Sequence, residues 1–365
     1  FMLRYISKRI LLILPTLIGI LFINFIIIQF APGGPVSHVM AQLKYHNSQS
    51  TNMLDTTSLD LNSTQLTKDH NYLKDQGLDN EIVLEIKTRF GFDKPPLERF
   101  LLMVKNYLSF NFGESFFKGQ KVTDLIIERL PISISLGLWS TLLIYIISIP
   151  LGIKKAVANG SKFDLYSSLI IFTFYSIPAF LFAIFLIVIF AKGGYVPIFP
   201  LSGLISDNFT ELSFFGKIKD YIQHLFLPTL ALIIGGFASL TMLTKNCFLD
   251  ELSKQYVLTA KAKGLNQSQI LYGHVFRNSM ILVISSFPET LIKILFTSSL
   301  LIEIIFSLDG LGLLGFESAI SRDYPVIFAT IYIYSLIGLV FNLISDIIYV
   351  AIDPRINFSD IKDGF

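Results

Sequence analysis

Six apolar stretches, at residues 10–30, 132–153, 165–191, 225–244, 280–302 and 326–352, constrain this chain more than any other feature. A spanning helix needs about 20 mostly apolar residues to cross a hydrocarbon layer of roughly 30 Å, and each stretch is long enough. Inside lipid every backbone N–H and C=O requires an internal partner, so such runs fold as helices. Composition agrees: 52% hydrophobic residues, 15% charged residues and a mean hydropathy of +0.62 lie outside the range of soluble domains. The expected fold class is therefore an all-α membrane protein with six transmembrane helices. The first run follows Arg4, Lys8 and Arg9 as a signal peptide would, but it ends in Ala31-Pro32-Gly33-Gly34-Pro35 without an A-x-A cleavage pattern and reads as a retained span.

Lys and Arg in short loops set the orientation. Arg4, Lys8 and Arg9 precede the first span; Lys154, Lys155 and Lys162 lie between the second and third; Lys245, Lys254, Lys261, Lys263 and Arg277 between the fourth and fifth; Arg355 and Lys362 follow the sixth. The opposite side has Lys192, Lys217, Lys219 and Arg322, so the balance is thirteen against four. Both termini are expected on the cytoplasmic side, with residues 31–131 outside. The chain then divides into residues 1–30, the tail and first span; 31–131, an outer insertion; 132–352, a five-helix core containing a cytoplasmic loop at 254–278; and 353–365, a cytoplasmic tail.

The insertion carries eleven Lys/Arg and twelve Asp/Glu in 101 residues, which suits a small cap better than a large independent core. Residues 47–67 are rich in Asn, Ser, Thr and Gln without periodicity and read as an irregular loop. Ile82, Val83 and Ile86 have helical spacing up to a stop at Gly91, and Pro95-Pro96 opens a second helix through Leu101, Val104 and Leu108.

Several function classes fall away. A net charge of +2, scattered along the chain, gives no concentrated basic face for nucleic acid. Cys247 stands alone and reads as a small packed hydrophobe, and His38, His46, His70, His224 and His274 have no metal-ligand spacing. There is no P-loop pattern and no G-x-S-x-G elbow, so the chain is read as a non-enzyme without metal or cofactor.

The 254–278 loop is the most informative segment. Its sequence reads as two short helices broken at Gly264, which suits a left-handed closing residue, with Lys261 and Lys263 at the negative end of the first helix. Asn266 and Gln269 have the spacing of a capping-box variant that opens the second. Ala260, Leu265, Ile270 and Leu271 are expected to form an apolar side that seats in a partner's groove.

Thr259-Ala260-Lys261-Ala262-Lys263-Gly264 followed by Arg277-Asn278 resembles the EAA loop of binding-protein-dependent ABC permeases, in the variant of the dipeptide and oligopeptide permeases. Ala260 and Gly264 match the family's core Ala and Gly, whereas Leu282 stands where a proline commonly follows the Arg-Asn pair. The resemblance extends through Phe112-Gly113-Glu114-Ser115, Glu303-Ile304-Ile305-Phe306, Gly310-Leu311-Gly312, Arg322-Asp323-Tyr324-Pro325 and Asp353-Pro354-Arg355, and the long outer insertion with the run from Ser307 to Ser318 resembles the Yej-type branch. It implies a type I ABC importer permease fold in a bacterial inner membrane, which makes residues 31–131 a periplasmic insertion, and import of oligopeptides or peptide-like compounds, peptide-nucleotide antibiotics among them. It further implies a second homologous permease subunit, a periplasmic solute-binding protein, and two cytoplasmic ATPases that bind ATP and Mg. On this resemblance Thr259, Ala260, Lys263, Gly264, Leu265, Arg277 and Asn278 couple to the ATPases.

Within the spans, Glu289 and Lys293 have the order that favours an i,i+4 ion pair, and read equally as a polar strip on the solute path or as a structural pair. Asp346 reads as structural, near an interface. Pro150, Pro178 and Pro288 are expected to kink their spans, and Gly235-Gly236 to allow a bend or close packing. A secondary transporter driven by an ion gradient is the rival reading. It calls for broken helices in two related halves, and the insertion has no counterpart in the second half. A membrane enzyme would need convergent catalytic groups, which the sequence lacks.

Overall fold

A computed structural model describes residues 2–30, 94–295 and 299–352. The 47–67 loop, the helix up to Gly91 and the Asp353-Pro354-Arg355 tail lie outside the described residues. The order of helices is α1 (Met2–Phe30), α2 (Pro96–Leu108), α3 (Val122–Val157), α4 (Lys162–Tyr175), α5 (Ala179–Phe190), α6 (Phe214–Leu252), α7 (Gln255–Ala262), α8 (Gln267–Ile270), a π-helical turn (Leu271–Val275), α9 (Phe276–Ser285), α10 (Phe287–Lys293), α11 (Ser299–Ile305), α12 (Leu311–Ser321) and α13 (Tyr324–Ile352). The second insertion helix starts where Pro95-Pro96 placed it, with Pro95 at its N-cap.

Among the described residues, five helical stretches are long and apolar enough to cross a membrane, and a sixth arises if α4 and α5 count as one span. Those two are bent by 91°, so the third expected span is broken. Ser176 closes α4, and Pro178, extended at φ −57° and ψ 134°, opens α5. Proline supplies no N–H to the preceding turn and forces the residue before it out of helical geometry. Pro131 and Pro150, by contrast, lie within the unbroken 36-residue α3. At the 1.5 Å rise per residue of an α-helix, α3 and α6 are about 54 and 58 Å long, well beyond the bilayer core. Residues 122–131, read from sequence as insertion, are the first turns of α3.

The fifth span also shifts. Expected at 280–302, it runs over Gln267–Lys293, beginning inside the loop read as two short helices. The second of those helices is its first turn, joined to α9 by the π-helical turn. Ser299–Ile305 is a separate short helix beyond the span.

The α3–α6 pair forms the spine. Gly152 admits this approach: a Cβ there would lie 2.6 Å from Thr244 Cβ and 2.8 Å from the Thr241 carbonyl. Gly236 does the same against Ile144, whereas Gly235 faces open space. Ser148 Oγ donates to the Phe237 carbonyl at 3.2 Å, a cross-helix bond of the kind that replaces the hydrophobic effect inside lipid. One apolar cluster runs along this spine to α5, α7 and α9; a second joins α1, α2, the start of α3, α12 and α13 around Leu21, Tyr107, Val122 and Tyr332. Arg9 pairs with Asp346 at 3.1 Å, tying the first span to the last.

Candidate functional site

The 254–278 segment projects from the end of the α3–α6 spine. α6 ends at Leu252, and the Glu251 carboxylate gathers the turn that follows by accepting from Lys254 Nζ and from Tyr256 Oη at 2.8 Å. Asn278 joins the same cluster through its side chain and so anchors the start of α9 to the base of α7. Burial, reinforced by the bond to Glu251, pushes the Tyr256 phenol up to about 12, so it remains a donor at neutral pH.

Within α7, Val257 and Ala260 are buried against the spine. Its end is a Schellman motif: Leu265 N–H bonds the Ala260 carbonyl at 3.3 Å and Gly264 N–H the Lys261 carbonyl at 2.9 Å. Gly264 sits at φ +83°, the left-handed region where a β-carbon is strained, as its sequence position implied. The capping box is formed as well: Gln269 N–H donates to Asn266 Oδ1 at 2.8 Å, and Asn266 N–H to Gln269 Oε1 at 3.0 Å. The corner is thus fixed by backbone–backbone bonds before the glycine and by reciprocal backbone–side-chain bonds after it.

The apolar side has a different use from the one expected. Ala260, Ile270 and Leu271 are buried and Leu265 half-buried, all in the protein's own core, because α8 must continue into a span packed on α6. The outward surface is made by Thr259, Lys261, Lys263, Gly264 and Arg277 with two apolar points, Leu258 and Tyr272, each 61% exposed. Asn278 is also exposed but is bonded inward. Exposure at Leu258 and Tyr272 is the signal that helical periodicity alone did not yield.

Glu289 and Lys293 lie on α10, away from this corner. Both are exposed, and no ion pair joins them among the described residues, contrary to the expected i,i+4 bridge. The structure does not bring them to the 254–278 segment.

Two polar assemblies went unread in the sequence, although their motifs were noted. Glu303, fully buried on α11, accepts from Leu313 N–H at 2.7 Å, and Ser133 on α3 accepts from Leu311 N–H at 2.8 Å. Together they cap α12, satisfying N–H groups that its N-terminus leaves open. Beside them Arg129 Nη2 pairs with Asp309 at 2.8 Å. In the second assembly, buried Asp323 accepts from Ser115 Oγ and, at 3.2 Å, from Phe116 N–H. The Phe112-Gly113-Glu114-Ser115 and Arg322-Asp323 motifs are therefore two sides of one contact. A partner 208 residues away leaves no local spacing to detect. Among the described residues no His, Cys, Asp or Glu group is arranged to hold a metal.

Residues 148–358 match the family model described as "Binding-protein-dependent transport system inner membrane component". The chain is 54% identical to the inner membrane ABC transporter permease protein YejB of Escherichia coli over 97% of its own length and 98% of the relative's. It is equally 54% identical to the peptidoglycan transport system permease protein YejB of Agrobacterium fabrum, with the same two coverages. The oligopeptide transport system permease protein AppB of Bacillus subtilis is 34% identical over 98% of this chain and 100% of that one. The corner between α6 and α9 and both polar assemblies lie within a chain matched almost end to end. The chain belongs to the binding-protein-dependent transport system inner membrane components, the multi-pass permease subunits of ABC importers.

Proposed function

We propose that the chain is one half of the solute path of an ABC importer for peptide-like compounds, driven by ATPases that dock on residues 254–278. One observation carries the docking assignment: the outward corner at Gly264 is rigid and lies directly between two spanning helices, α6 and α9, so a push on it moves both. Thr259, Lys263, Gly264 and Arg277 form the contact, Ala260 and Leu265 support it from within, and Asn278 holds its base. ATP and Mg are bound by the ATPases. This side of the membrane is the cytoplasm, which places both termini there and residues 31–131 in the periplasm, where a solute-binding protein delivers its load. A second, homologous permease subunit completes the path, with Glu289 and Lys293 exposed toward it. Peptide-like cargo is supported by the relatives, whose names specify oligopeptides in one case and peptidoglycan in another. Peptidoglycan fragments that retain their peptide satisfy both names.

Replacing Gly264 with Trp tests the docking assignment. The assembled complex is expected to lose ATPase recruitment to membranes and peptide uptake together; normal recruitment contradicts it. Gly264→Asn, whose side chain tolerates the left-handed conformation, is expected to retain the corner and most of the recruitment.

A further inference from the structure

Two lysines counted from sequence as loop charges, Lys155 and Lys245, meet inside the protein on a single carboxylate. Lys155, in the last turn of α3, has no exposed surface; its ammonium lies 3.0 Å from Asp164 Oδ1, 2.9 Å from the Asp164 carbonyl, 2.8 Å from Ser167 Oγ and 2.7 Å from Ser168 Oγ. Lys245 of α6 reaches the same carboxylate from the other side, 2.9 and 2.7 Å from its two oxygens. Gly160 N–H adds a bond at 3.2 Å, and Ser161 caps α4 by accepting from Asp164 N–H. Buried charges hold their geometry because no water can replace a departing partner.

The position of this cluster gives it a mechanical meaning. Lys245 lies two turns before the end of α6, from which α7 hangs. Its neighbour Thr244 is the residue that Gly152 admits at close range, so α3 and α6 touch at this level, while the Thr244 hydroxyl bonds within α6 rather than to α3. Asp164 is in the first turn of α4, the near half of the broken span, and the 91° break separates that half from α5. We propose that the Lys245–Asp164 pair is a tether that makes α4 follow α6 when the 254–278 corner is displaced, with the Ser176-Ile177-Pro178 break as the hinge to α5. The tether rests on the docking assignment above, because that corner is where displacement enters. Lys245 is a positioning residue that touches neither solute nor nucleotide.

The discriminating variant is Lys245→Met. It removes the link to α6 while leaving Asp164 paired with Lys155, so no orphaned charge remains inside the protein. In the full complex in proteoliposomes, ATPase recruitment and basal ATP hydrolysis are expected to persist. Uptake, and the stimulation of hydrolysis by peptide-loaded binding protein, are expected to fall about tenfold, a usual size for coupling between sites. Lys245→Arg, which can still bridge both carboxylate oxygens, is expected to restore them. Unchanged uptake and stimulation in Lys245→Met overturn the tether, and so does loss of recruitment, which would make Lys245 part of the docking surface. Gly264→Trp in the same assay separates the two claims. If that variant recruits ATPase normally, the docking assignment fails whatever Lys245→Met does.

Discussion

At Gly310 one absent methyl group determines whether α12 can be capped. A Cβ there would collide with Glu303 Oε1, the carboxylate that accepts from the first turn of α12. Gly310→Ala is therefore expected to displace Glu303, leave a buried charge without its helix partner and destabilise the chain by about 1–3 kcal/mol, read as a lower unfolding midpoint in detergent. An unchanged midpoint would mean that the cap is dispensable. Asp323 permits a sharper measurement, since its partner is on a different element. A double-mutant cycle with Ser115→Ala and Asp323→Asn is expected to give a coupling energy on the order of 1 kcal/mol, whereas additive effects would deny the contact. The exposed Lys118–Glu317 pair alongside is expected to contribute little when broken.

Among the elements, α7 and α8 were legible in the sequence because their signals are local. Gly264 after a basic turn and Asn266 three residues before Gln269 each specify a backbone geometry within one turn, and each is present. Removing the capping box by Asn266→Ala is expected to cost about 1 kcal/mol. The loss should appear as faster hydrogen exchange over residues 267–270, with exchange in α6 unchanged. The broken third span was only half legible: Pro178 marked the place, but Pro150 looked the same and lies in a continuous helix. A proline's effect depends on whether the next turn is held by neighbours, and that is a tertiary fact. The same limit hid the fate of Lys155 and Lys245. Loop charge counting treats every lysine near a span end as solvated, yet these two are buried on Asp164, which lies 81 residues from Lys245. Ala260, Ile270 and Leu271 were correctly grouped as one apolar side, but sequence could not say whether that side faced a partner or the chain's own core.

For the whole molecule, hydropathy specified the number of apolar segments, and among the described residues they become five helical stretches long and apolar enough to span and one bent pair, around the α3–α6 spine. The central claim is that the rigid corner at Gly264 faces the cytoplasm and is covered by an ATPase. The chain is suited to a direct measurement, because its single native cysteine, Cys247, is buried. With Lys263→Cys, a membrane-impermeant maleimide is expected to label inverted membrane vesicles and leave right-side-out vesicles unlabelled, and assembly with the ATPases is expected to suppress the labelling. Labelling from the outer face, or labelling that ATPase assembly leaves untouched, would contradict the account.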